Sequence, residues 1–229
     1  MAGLGYKSNF TAGAVLTAAQ VQGYLMDQAV MTFASSAARS AAITAPSQGM
    51  TTYLTDSNTY WQYFDAYNSS TNPGGAASAG WYPLSGSVAF HGVRDNTSLS
   101  IANNTFTLIT FNTFANMGMT LDSTTTPGAI TVPTAGFYRV TAYADRTGWS
   151  ITTGTTRLLY VTKNGTTTTA GIVSTTLAVA TFNEVSKFST VVKLAASDVI
   201  RMYLQQDSGS AATNNKTGFS VEFVRPASV

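Results

Sequence analysis

His91, in Phe90-His91-Gly92, is the chain's single histidine, and there is no cysteine. One imidazole and no thiol leave no thiolate nucleophile, no disulfide framework, no Cys-ligated zinc and no His-rich metal site. No Gly-x-Ser-x-Gly elbow, phosphate loop or dinucleotide fingerprint accompanies it, so His91 reads as structural rather than as a general base. The ten carboxylates are Asp27, Asp56, Asp65, Asp95, Asp122, Asp145, Glu184, Asp198, Asp207 and Glu222. Glycoside hydrolysis needs two of them across a cleft. Asp145 with Asp207, or Asp95 with Asp122, are free to meet, but nothing in their spacing requires it, and Asp at strand ends is an ordinary turn former. No Asp-x-Asp-x-Asp run offers a calcium loop. No catalytic residue, cofactor or metal is expected, and the chain reads as a non-enzyme.

Two further groupings could bind rather than react. Tyr53, Tyr60, Trp61, Tyr63, Phe64, Tyr67, Trp81 and Tyr82 fall close together. Such rings can stack on sugars, but they are also what a tiny sheet needs for a core, and the structural reading is preferred. The runs 124–126 and 166–169 are all Thr. No regular Thr repeat extends over several strands, so strand propensity explains them better than ice binding or glycosylation.

The elements that carry these residues follow from composition and pattern. The chain has 229 residues, only 10% of them charged and 44% hydrophobic, with 37 Thr and 23 Ser. It is long enough for a real core and too apolar for disorder, so its surface is covered by hydroxyls and amides. Net charge is +2 with no basic cluster, which argues against a nucleic-acid partner. No apolar run has the length of a membrane span. The N-terminus lacks a signal peptide's basic start and apolar stretch, so release by a route other than secretion is expected.

Residues 1–46 read as an arm and a helix. Thr17-Ala18-Ala19-Gln20 has capping-box spacing. Val21, Tyr24, Leu25, Gln28, Met31 and Thr32 then trace one helical face, continuing weakly to Arg39 and ending by Pro46. Val21, Tyr24, Leu25 and Met31 are the candidate anchor residues of this helix. Residues 47–85 read as a small β unit, a hairpin turning at Asp56-Ser57-Asn58 plus a short strand at Trp81. Residues 86–229 read as the main domain, with strands at 88–93, 105–111, 129–132, 136–146, 156–163, 166–173, 185–194, 199–206 and 218–224. Asn164-Gly165 is a strong hairpin turn. This pattern predicts a mainly β protein whose main domain is an antiparallel jelly-roll sandwich of about eight to ten strands.

Three stretches of the main domain, taken in order, resemble complement-globular-head and tumour-necrosis-factor-like domains. Ile130 to Tyr143, with Pro133, Gly136 and Tyr138, resembles their apolar-x-x-Pro-x-x-Gly-x-Tyr strand. Leu158 to Gly165 resembles the next strand and its turn. Val191 to Gln205 resembles the following pair, with Ser197 standing where the family usually has Gly before Asp198. Gly218 to Phe223 suits the last strand. The resemblance implies a jelly roll that trimerises about a threefold axis, with Phe137, Tyr138, Phe219 and Phe223 as candidates for core or trimer contact. Gly136 is expected to shape the strand entry by a turn conformation, and Asp198 to stiffen the turn it follows.

Phe10 to Arg39, and Pro46 to Phe64 followed by Trp81-Tyr82-Pro83, are similar to leaders of bacteriophage tail and virion-surface proteins. Together the two resemblances imply a non-enzymatic virion protein: a trimeric tail fibre, spike or minor tail protein, head fibre or capsid decoration. Its expected partners are itself, capsid or tail proteins, and a host cell-surface glycan or protein. Host contact falls to the segments 146–155, 177–184 and 207–216, because loops on a rigid sandwich carry recognition. The readings weighed against it are a tail-associated carbohydrate-binding or depolymerising protein and a cellular complement-like binding module.

Overall fold

Thr17 does precede a helix. α1 (Ala18–Val21) closes with the Val21 N–H donating to the Thr17 carbonyl at 3.0 Å. In the computed structural model, the described residues are 13, 15, 17–21, 29–68, 70–72, 75–84, 88–125, 127–145, 157–165, 171–177 and 185–227. Val21 is half-buried, and Tyr24 and Leu25 lie outside the described residues. Met31 corrects the expectation of one long helix: it opens a strand, β1 (Met31–Phe33). The chain is extended there because Met31, Thr32 and Phe33 pair in parallel with Thr52, Tyr53 and Leu54, and β-branched Thr32 suits a strand. A second helix, α2 (Ser36–Ala42), starts afresh, with the Ser35 hydroxyl accepting from the Ala38 N–H at 3.2 Å. It ends at Ile43, before Pro46 is reached.

The strands β2 (Thr51–Leu54), β3 (Thr59–Phe64) and β4 (Gly80–Pro83) join β1 in a four-stranded sheet, order β1-β2-β3-β4. The hairpin turns where Asp56-Ser57-Asn58 predicted, with Asn58 at φ 51. The sheet thus runs across the expected boundary at residue 46. Compact units divide the chain differently, as Met1–Ser87 with Pro226–Val229, and Val88–Arg225. The Ala77 N–H donates to the Ala227 carbonyl at 2.7 Å within the first unit.

The second unit contains β5 (Ala89–Ile101), β6 (Thr107–Leu108), β7 (Thr113–Met117), β8 (Thr120–Asp122), β9 (Ala129–Thr131), β10 (Gly136–Asp145), β11 (Arg157–Lys163), β12 (Gly171–Leu177), β13 (Val185–Leu194), β14 (Val199–Gln206) and β15 (Ala212–Arg225). One sheet has the order β13-β10-β15-β5-β7, the other β12-β11-β14-β9-β8 with β6 also paired to β14. The pairs within both are antiparallel. The unit is therefore a mainly β, antiparallel sandwich.

Period-two burial explains why it is two-layered. In β10, Gly136, Tyr138, Val140, Ala142 and Ala144 are buried, while Arg139 and Tyr143 between them are exposed. Phe90, Phe219, Val221 and Phe223 from the same sheet are buried, as are Ile130, Leu159, Val161, Ile200, Met202 and Leu204 from the other. Each such side chain contributes about 1.5–3 kcal/mol by leaving water. The Phe111 and Phe219 rings stack at 6.0 Å, and Tyr138 meets Phe223 edge-on at 5.4 Å.

Three expectations need correction here. Of 105–111 only β6 is strand, and β7 and β8 went unpredicted, because β7 is exposed throughout and β8 has only three residues. Lys216, expected in a loop, is on β15 opposite Asp95. Gly136 has no positive φ. Its role is close approach, because a Cβ there would sit 2.4 Å from the Phe223 ring.

Candidate functional site

The residues of β10 that point away from the core begin the best-defined surface of the sandwich. Register carries each one across neighbouring strands. Arg139 lies between Val191 and Glu222, Thr141 between Ser189 and Ser220, and Tyr143 between Lys187 and Gly218. Ser220 leads on to His91 and Ala115, and Glu222 to Ala89 and Met117. The middle row is thus small hydroxyls, one exposed imidazole and a methyl, which keeps the face flat. Gly218 flattens it further: a Cβ there would meet the Tyr143 ring at 2.1 Å, so that ring lies across bare backbone.

Apolar atoms stand open on this face. Val185 is 53% exposed, Val191 52% and Met117 49%, with Tyr143 also open. Around them Arg139 reaches Glu222 at 3.6 Å, Arg225 lies 4.6 Å over the Phe137 ring, and Thr141 bonds Ser189 at 2.9 Å. Exposed valines interleaved with an ion pair, a cation–π contact and hydroxyls are what a protein surface can cover. The second sheet is different: Phe106 packs against Tyr160 at 5.6 Å and Tyr203 at 6.5 Å, so the chain covers part of that outer face itself.

One charged cluster is built more tightly. The turn Ala195–Asp198 closes with the Asp198 N–H on the Ala195 carbonyl, and Ser197 holds φ 69. Asp198, almost wholly buried, accepts from the Ala195 N–H at 2.7 Å and from Asn164 Nδ2 at 2.6 Å. Lys163 Nζ lies 2.8 Å from Oδ2, the oxygen that also takes the Ala195 N–H, while Asn164 holds Oδ1. Burial acts to raise its pKa, but the bonds from Lys163, Asn164 and Ala195 and the Lys163 charge outweigh it and hold the carboxyl below its ordinary value. The sequence marked Asn164-Gly165 and Asp198 as separate turn residues. That they bond each other could not be read from residues 34 positions apart.

In the small sheet the aromatic cluster divides by face. Trp61 and Trp81 lie under the Arg39 guanidinium, at 5.3 and 4.4 Å. Tyr53 and Tyr60 pair at 4.9 Å, and Tyr60 is open to solvent. Arg39 is buried, and among the described residues its Nε and Nη1 have no hydrogen-bond partner. Desolvation lowers its pKa, partly offset by Asp56.

The predicted contact residues separate cleanly. Tyr138, Phe219 and Phe223 are inside the sandwich, where burial pushes the Tyr138 phenol above its ordinary range and its O–H donates to the Thr134 carbonyl at 2.7 Å. Phe137 is half-buried on the outward face. Of the acid pairs, Asp95 and Asp122 lie on strands of different sheets, and Asp122 Oδ1 accepts from the Thr124 and Thr125 N–H groups. Asp145 ends β10 and Asp207 follows β14. Among the described residues no three His, Asp or Glu side chains gather as for a metal ion, and no helix is long and apolar enough to cross a membrane. The segments 146–156 and 178–184 lie outside the described residues. The chain matches no family model and no curated protein.

Proposed function

We propose that the chain is a structural protein of a bacteriophage virion: a homotrimeric fibre, spike or decoration whose N-terminal segment attaches to capsid or tail and whose sandwich is the exposed head. The observation that carries this reading is the flat outward face of the β13-β10-β15-β5-β7 sheet, with Tyr143, Val185, Val191 and Met117 open on it. Apolar groups concentrated on one sheet face favour burial against another subunit. The nested pairing, β5 with β15, β9 with β14, β10 with β13 and β11 with β12, supports a jelly roll. A surface rich in Thr and Ser and poor in charge suits a crowded protein lattice.

Light scattering of the full chain tests the assembly. A mass near three times 24.0 kDa is expected. The double variant Val185→Lys, Val191→Lys is expected to be monomeric with an unchanged circular dichroism spectrum, because both positions are half-exposed in the single chain. A monomeric natural chain overturns the trimer. Labelled antibody that fails to decorate intact virions overturns the location.

A further inference from the structure

Asn164-Gly165 is the chain's single Asn-Gly pair. Asn-Gly is the dipeptide in which the following backbone nitrogen most readily attacks the side-chain amide, since glycine has no Cβ to obstruct the approach. In the fold this amide is held at both ends. Asn164 Nδ2 donates to Asp198 Oδ1 at 2.6 Å, and Asn164 Oδ1 accepts from the Val199 N–H at 2.7 Å. The Asn164 backbone is at φ 55, and its N–H donates to the Val199 carbonyl at 2.8 Å. Beyond it, the Gly165 carbonyl accepts from Thr162 Oγ1 at 2.6 Å and from Arg201 Nη1 at 3.4 Å. Attack requires Cγ to swing toward the Gly165 nitrogen, and neither amide atom is free to follow. The atom that must leave is the one Asp198 holds.

We infer that Asn164 is a deamidation site kept shut by Asp198, and that its conversion permanently undoes the link between the two turns. In the reaction the Gly165 nitrogen bonds to Asn164 Cγ and the Cγ–Nδ2 bond breaks. Ammonia leaves, taking up the proton lost from the Gly165 nitrogen, and a succinimide forms. Water then opens the ring to Asp or isoaspartate. Either product exchanges an amide donor for a carboxylate that faces Asp198, with Lys163 as the neighbouring counter-charge. Two carboxylates on one site repel, so a turn opened and converted does not close again as before.

The full chain, incubated at mildly alkaline pH, provides the test, with mass spectrometry of the peptide spanning residue 164 as readout. The native chain should deamidate about ten-fold or more slowly than the urea-unfolded chain, because reaction waits on local opening. Asp198→Ala should approach the unfolded rate while near-ultraviolet circular dichroism stays native. Lys163→Met, which leaves the amide bonds in place, should remain slow. Equal native and unfolded rates, or a folded Asp198→Ala as slow as the natural chain, would sink the inference. In case Asp198→Ala loses its fold, two other variants decide. Asn164→Asp should melt below Asn164→Gly at neutral pH, with the gap narrowing in acid as one carboxyl takes up a proton. Equal melting of those two variants overturns the inference as well.

Discussion

Each unit of this chain buries an arginine, and the two are treated differently. Arg94, in the sandwich, donates through Nε to the Thr110 carbonyl at 3.1 Å, through Nη1 to the Thr97 carbonyl at 3.3 Å and through Nη2 to Thr110 Oγ1 at 2.6 Å. Arg39, in the first unit, has indole rings instead, and two of its nitrogens lack partners among the described residues. Burial lowers the pKa of both. In the sandwich, the carbonyls of Thr110, between β6 and β7, and of Thr97, on β5 itself, replace the water that Arg94 loses. Around Arg39 the small sheet presents ring faces, which attract a cation but accept no directed hydrogen bond. A short sheet with one small helix over it builds its centre from large aromatics because it has little else to bury.

The largest blow to this contrast falls on the sandwich core. Phe219→Ala removes a ring that stacks on Phe111 and is 1% exposed. It should cost roughly 3–5 kcal/mol, read as a lower denaturant midpoint. The arginines themselves give the sharpest comparison. Arg94→Met leaves three acceptors without their donor and should cost about 1.5–3 kcal/mol. Arg39→Met gives up two cation–π contacts but also removes buried N–H groups without partners among the described residues, so its net effect should stay within about 1 kcal/mol of zero. Chemical denaturation of both variants decides, and equal losses would erase the distinction between the units. The smallest effect belongs to Ser197→Gly. It relieves a left-handed backbone at φ 69, and, after glycine's entropy cost, should stabilise by about 0.5 kcal/mol in thermal unfolding.

Legibility in the sequence followed the strength of local signals. The strand-like runs at 136–146, 185–194 and 199–206 located β10, β13 and β14, whose burial alternates because one face of each strand is covered. Asn164-Gly165 and Asp56-Ser57-Asn58 marked turns, since their residues tolerate the backbone that turns require. Met31 misled, because three residues of strand and a few of helix share the same apolar spacing, and only the partner Thr51–Leu54 decides between them. β7 was missed because every residue on it is exposed, so no pattern of burial is written into it.

What the sequence determined by itself is therefore the class and the positions of many strands: few charges, no thiol, a single imidazole and period-two runs leave a thiol-free antiparallel β protein. What only the tertiary structure decided is which residues from distant strands share a surface. Tyr143 lies flat because Gly218 is beside it, Val191 stands beside Arg139, and Asn164 reaches Asp198. Each pairing is fixed by register between strands, a property of two segments together that neither contains alone.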